Sequence, residues 1–266
     1  MEAKDYLSIV ISAVAVLIAL SSFLLSSYRK TNDDRRALRS SLNDIIAKIF
    51  LVRIEYAKYI QGNPNWPQND LAISVNNLFT SQLNSYARMA DYIIPKISGL
   101  VSDIELATVA ETFTSTGEQA GAVSYWQAAI RTCKNINQEV KYRRTYAAYL
   151  YNIGKLGDGR EEFQKALDLF RDNDDTSKAQ NGATYKFWGL CEIGVDNSTV
   201  ANNYFCCSRD LYSSMANNMV RLPLLKDLSI TLSRMQQFKS DPLQAMGLGP
   251  IAEIVPPAKE AEEVLS

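Results

Sequence analysis

The most marked pattern in the chain is an uncharged run near its start. No residue between Asp5 and Arg29 is charged, and Leu7 to Ser27, LSIVISAVAVLIALSSFLLSS, is apolar or small almost throughout. At 1.5 Å per residue that run would span about 30 Å, the depth of a hydrocarbon core. The pattern predicts a transmembrane helix in contact with lipid over residues 7–27, entered at Leu7 and still apolar at Leu25. Tyr6 and Tyr28 stand at the two interfaces, and Arg29 and Lys30 follow. A cleaved signal peptide fits less well, because the leading MEAKD carries two acids and no A-x-A site precedes Arg29. Lys4 alone precedes the run, whereas Arg29, Lys30, Arg35, Arg36 and Arg39 follow it, which predicts a single-pass protein with its larger part on the cytoplasmic side. The span lacks G-x-x-x-G, but Ser8, Ser12, Ala15 and Ala19 form a small-residue stripe that would support homo-oligomers.

Beyond residue 30 the apolar positions recur at helical spacing. Thr31, Asn32, Asp33 and Asp34 offer capping side chains for a new helix that carries Leu38, Leu42, Ile45, Ile46, Ile49, Val52 and Tyr56. GNPNWPQND, from Gly62 to Asp70, interrupts it. A second helix is expected from about Asp70 to Ile94, closed by Pro95 and Gly99. No strand alternation bounded by hairpin turns occurs, so the fold class is all-α. The expected organisation is an anchor (1–30), a helical hairpin region (31–100), helical repeats with a capping helix (101–240) and a flexible acidic tail (241–266). The capping helix should begin at Leu222 or Pro223, since proline suits a first helical turn, and end near Phe238.

Three segments of the middle region can be superposed. In Leu106–Lys134, Leu106, Val109, Ala110 and Phe113 precede a turn at Gly117, and Ala122, Trp126 and Ala129 follow it. In Arg143–Arg171 the equivalents are Arg143, Tyr146, Ala147 and Leu150, then Gly154, then Gly159, Phe163 and Ala166. In Tyr185–Ser213 they are Tyr185, Trp188, Gly189 and Glu192, then Gly194, then Ala201, Phe205 and Ser208. Large residues alternate with small ones at fixed offsets, which two antiparallel helices need if one is to approach the other closely. This arrangement resembles the tetratricopeptide repeat, with its large–large–small–aromatic first helix and small–aromatic–small second helix. The chain departs from that family in having starts 37 and then 42 residues apart, against about 34 in the family. It also has Arg143 at a large apolar position and Glu192 at the aromatic one. A plain helical bundle would use the same residues.

Composition narrows the chemistry. There is no histidine, which excludes Ser-His-Asp and Cys-His catalysis and any imidazole metal ligand. A net charge of −1 argues against nucleic acid as a partner. Cys133, Cys191, Cys206 and Cys207 form no C-x-x-C pair and read as reduced thiols. IGKLGDGR, Ile153 to Arg160, follows no strand and reads as turn chemistry, while Asp172, Asp174 and Asp175 lack the glycine and closing Glu of a calcium loop. No catalytic residue, cofactor or metal is expected, and the chain does not read as an enzyme.

The aromatic-basic run KYRRTYAAYLY, Lys141 to Tyr151, places Lys141, Arg144, Ala148 and Tyr151 along one helix face. The repeat resemblance implies that this face lines a concave groove, joined by Lys186 from the next segment. Tyr and Arg are favoured at interfaces, so Lys141, Arg144, Tyr151 and Lys186 are the expected contacts for a cytoplasmic protein or acidic peptide. The family's carboxylate clamp for chaperone tails is not expected, because Ala148 occupies one of its positions. The functional expectation is a membrane-tethered helical-repeat adaptor. The alternative is a membrane-bound sensor or effector of a bacterial stress or defence system that acts through oligomerisation of its span.

Overall fold

The computed structural model describes residues 3–63 and 71–237; within these, the side chains of residues 3–29, 31, 234, 236 and 237 are not described. The described residues are helical with short connections: α1 (Ala3–Gly62), α2 (Ala72–Ile93), a 3-10 turn (Ile94–Leu100), α3 (Asp103–Thr116), α4 (Gln119–Thr132), α5 (Ile136–Asn152), α6 (Leu156–Asp168), α7 (Asp175–Ile193), α8 (Ser198–Ser213) and α9 (Asn218–Gln237). Contacts divide the chain into two compact units, Met1–Cys133 and Lys134–Ser266.

The expectation of a membrane-crossing helix over residues 7–27 is overturned. Among the described residues, no helix is long and apolar enough to cross a membrane. Residues 3–62 instead form one 60-residue helix that runs through Thr31–Asp34, where a new helix was expected to begin. Neither proline nor glycine occurs between Ala3 and Gly62, so nothing breaks the backbone ladder and the four polar residues provide no cap. The apolar run is therefore part of a longer, charge-bearing element. The anchor roles expected of Tyr6, Leu7, Leu25, Tyr28 and Arg29 concern side chains outside those described. Lys30 is exposed. Arg39, the last of the basic residues that follow the apolar run, lies 2.7 Å from Glu105 of α3.

In the first unit α1 and α2 form an antiparallel hairpin, and α3 packs on α2. Leu42, Ile45, Ile49 and Val52 of α1 are buried with Leu83, Ala87 and Ala90 of α2. Pro95 opens the 3-10 turn after α2, as its missing N–H allows. α3 begins with a capping box: Ser102 accepts from the Glu105 backbone N–H, and the Glu105 carboxylate accepts from that of Ser102. Two arginines clasp α1 to α3, Arg39 on Glu105 and Arg53 on Glu111 at 2.8 Å and Thr112 at 3.0 Å.

The superposed segments form three helical hairpins, α3–α4, α5–α6 and α7–α8. Val109, Ala110, Phe113, Ala122, Trp126 and Ala129 are buried in the first; Tyr146, Ala147, Leu150, Phe163 and Ala166 in the second; Trp188, Ala201, Phe205 and Ser208 in the third. Glycine sets the closest approach each time. A Cβ on Gly121, Gly159 or Gly189 would lie 2.8, 2.6 or 2.8 Å from the ring of Phe113, Tyr151 or Phe205. Gly117 and Gly154 close α3 and α5 at φ 79° and 77°, in the left-handed region that favours glycine. The third turn differs: Gly194 stays right-handed and Asp196 takes the left-handed position at φ 59°, which aspartate tolerates better than most residues. The uneven repeat spacing comes about equally from the first helices, since α3, α5 and α7 have 14, 17 and 19 residues, and from the connections, since residues 169–174 join α6 to α7 where 133–135 join α4 to α5.

The chain is thus an all-α, helical-repeat-like protein. In the second unit α7 packs on both α5 and α6, and α9 covers α8. α9 starts earlier than expected, and Pro223 lies inside it rather than at its start. The Asp175 carboxylate accepts from the backbone N–H groups of Ala216 and Asn217 at 2.9 and 2.7 Å, and the Asn217 side chain accepts from that of Met219 at 3.0 Å. These bonds begin the helix before the proline is reached. The expected acidic tail, 241–266, lies outside the described residues.

Candidate partner-binding face

The face of interest lies where α5 meets α7. Asn135 caps α5, accepting from the backbone N–H groups of Asn137 and Gln138, and Asp174 caps α7, accepting from that of Ser177 at 2.7 Å. Asn181 donates to the Phe170 carbonyl at 2.7 Å and ties α7 to the preceding connection. With both helices fixed, Gln180 of α7 donates to Asn137 of α5 at 3.4 Å and accepts from Arg144 Nη2 at 3.0 Å.

Arg144 is the unusual residue of this seam. Its side chain lies among the buried ones, with 7% of the residue exposed, and it makes no ion pair with a described residue. Arg143, its neighbour, turns the other way and is matched by Glu139 at 2.8 Å and Glu162 at 2.7 Å. Burial pushes the Arg144 guanidinium below its ordinary pKa, with Tyr212 offsetting part of the effect. Its carbon centre lies 5.8 Å from the ring centroid of Phe187, which is 43% exposed, and Lys186 Nζ lies 5.6 Å from that ring. An exposed aromatic ring thus stands between two cations, one of them bonded to a neutral amide alone among its described polar partners.

The four residues expected to bind a partner are placed differently. Lys141 is exposed, one turn before Arg144 on α5. Lys186 reaches across to α9 and pairs with Asp227. Tyr151 turns into the core, 5% exposed, with its hydroxyl donating to Glu192 at 2.6 Å. The structure therefore gathers Arg144 and Lys186 around Phe187, keeps Lys141 on the adjoining turn, and separates Tyr151 from them. Phe187 was not singled out in the sequence; its signal was a large apolar residue directly beside Lys186, at a position outside the repeat pattern.

A polar clasp in the core accounts for one departure from the repeat pattern, Glu192. Glu192 is fully buried where the repeat pattern has an aromatic residue. Its carboxylate accepts from Arg160 Nε and Nη2 at 2.8 and 2.9 Å, from Tyr151 at 2.6 Å, from Asn197 at 2.8 Å and from Trp188 at 3.2 Å. Burial alone would raise its pKa, but the bonds from Arg160, Tyr151 and Asn197 outweigh it and hold the carboxyl at about 2. Around it the rings meet edge to face, Tyr151 on Phe163 at 6.0 Å, and face to face, Phe163 on Trp188 at 5.4 Å and Trp188 on Tyr204 at 4.4 Å. This clasp ties α5, α6 and α7 together through Tyr151, Arg160 and Glu192. Each of these donors reaches the carboxylate, and Trp188 Nε1 is shared with the Tyr151 hydroxyl at 2.9 Å.

No known protein-family model matches the chain, and no curated protein or solved structure matches it either.

Proposed function

We propose that the protein is a helical-repeat adaptor that captures an acidic segment of another protein on the α5–α7 face, with Arg144 and Phe187 at its centre. The observation that carries this reading is Arg144: a buried guanidinium with a neutral amide for its described polar partner and no carboxylate. A charge taken out of water without a counter-ion is costly, and a carboxylate supplied by a partner at the Phe187 edge would offset that cost. Phe187 adds an apolar anchor that excludes water from the pair, and Lys141 extends the positive potential along α5. Similarity of the three hairpins to tetratricopeptide repeats supports the same use, since that resemblance implies peptide capture by the first helices of the repeats.

The test is an array of acidic, neutral and basic peptides probed with the full chain. Acidic peptides that carry an apolar residue beside the acid should be retained, and binding should weaken as salt rises. Phe187→Ala and Lys141→Glu alter exposed side chains and should reduce retention without moving the thermal midpoint. Arg144→Gln should abolish it. Binding that ignores peptide charge and salt, or survives both exposed variants, rejects the proposal.

A further inference from the structure

The far side of α1 carries an apolar stripe that no described residue covers. Ala47, Phe50, Leu51 and Ile54 recur at i, i+3, i+4 and i+7, opposite the face that buries Ile45, Ile49 and Val52 against the rest of the unit. Phe50, Leu51 and Ile54 are 46%, 57% and 50% exposed. One edge of this stripe is a line of charge: Asp44, Lys48, Leu51, Glu55 and Lys58 follow at i, i+4, i+7, i+11 and i+14. The other edge, with Asn43, Phe50 and Ala57, carries none. All four charged residues are exposed, and none makes an ion pair with a described residue, although Lys48 lies 5.9 Å from the Tyr86 ring.

The order of the charges names the occupant. Asp44 and Lys58 stand seven residues either side of Leu51, and Lys48 and Glu55 stand three before and four after it. A second α1 laid antiparallel, with the two-fold axis at Leu51, brings like edges together and sets Lys48 against Glu55 and Asp44 against Lys58, each pair twice. Phe50, Leu51 and Ile54 then meet at the centre, with Ile54 facing Ala47. A parallel partner would set the charged edge against the uncharged one and match nothing. We propose that the protein forms a two-fold dimer through this face of α1, with the helices antiparallel about Leu51. Isologous pairing of this kind closes on itself and leaves no edge for further growth. The contact spans fifteen residues, about 21 Å of helix, so it falls in the small-interface class and its dimer dissociates on dilution.

The test is sedimentation equilibrium of the full chain over a wide concentration range. The unaltered protein should pass from monomer to dimer, and Leu51→Asp should hold it monomeric. Lys48→Glu and Glu55→Lys each turn two attractive pairs into repulsive ones and should raise the dissociation constant on the order of tenfold. The double exchange, Lys48→Glu with Glu55→Lys, recreates both pairs in the antiparallel arrangement and should return the constant to within about threefold of the original. All three side chains are exposed, so thermal midpoints measured on the dilute monomer should be unchanged for every variant. A chain that stays monomeric overturns the proposal, as does a dimer indifferent to Leu51→Asp. Single reversals that weaken the dimer without rescue by the double exchange also overturn it.

Discussion

Replacing Glu192 by Gln keeps the shape of the side chain and removes its charge, which makes it the sharpest probe of the clasp between α5, α6 and α7. The carboxylate is fully buried and accepts five hydrogen bonds, two of them from Arg160. Its pKa falls from an ordinary 4.5 to about 2 on folding; at 1.36 kcal/mol per unit that depression is roughly 3 kcal/mol of stability at neutral pH. The Arg160 side chain is 43% exposed, so solvent screens one side of the pair and the expected loss is about 2–3 kcal/mol. Because the folded-state pKa is depressed, this stabilisation is complete above pH 4.5 and is lost as the pH falls towards 2. Urea unfolding of both proteins at pH 7, 5, 3.5 and 2, followed by tryptophan fluorescence, measures it directly. The difference between them should be constant from pH 7 to 5 and shrink to near zero at pH 2, where a protonated Glu192 resembles Gln. Other titrating groups are common to both proteins and cancel in the difference. A loss under about 1 kcal/mol at pH 7, or a difference that does not change with pH, would refute the assignment.

Gly159→Ala tests the closeness of α5 and α6, because the new Cβ would lie 2.6 Å from the Tyr151 ring and 3.1 Å from the Ala147 carbonyl oxygen. The overpacking should exceed the gain in helix propensity and cost about 1–2 kcal/mol in a urea melt; a neutral or stabilising result would mean that the helices can part without cost. The thiols should separate by reactivity. Burial raises the Cys191 thiol to about 12, whereas Cys206 and Cys207 are exposed on α8. Mass spectrometry after brief alkylation of the folded protein should find Cys206 and Cys207 modified and Cys191 intact until denaturant is added; early labelling of Cys191 would contradict the packing of α7.

Periodicity along the chain was sufficient for the helical class and for much of the core. Val109, Ala110, Phe113, Trp126, Ala147, Phe163, Trp188 and Phe205 could be assigned to helix interfaces from spacing alone, and all of them are buried. That follows because the apolar face of a helix is a local property, written in residues three and four apart. Three decisions were not local. Thr31–Asp34 have the side chains of a helix start, yet α1 passes through them, because a capping residue begins a helix only where something else has ended the previous one. Pro223 lies inside α9 because Asp175, 41 residues before Ala216, holds the backbone that precedes it. Arg144 and Tyr151 share a stripe on paper, but Tyr151 is drawn inward by Glu192, 41 residues away, while Arg144 stays at the seam beside Phe187. Spacing tells which side of a helix prefers water; which buried polar group meets a partner depends on what the packed neighbours bring within 3 Å, and only the tertiary structure decides that.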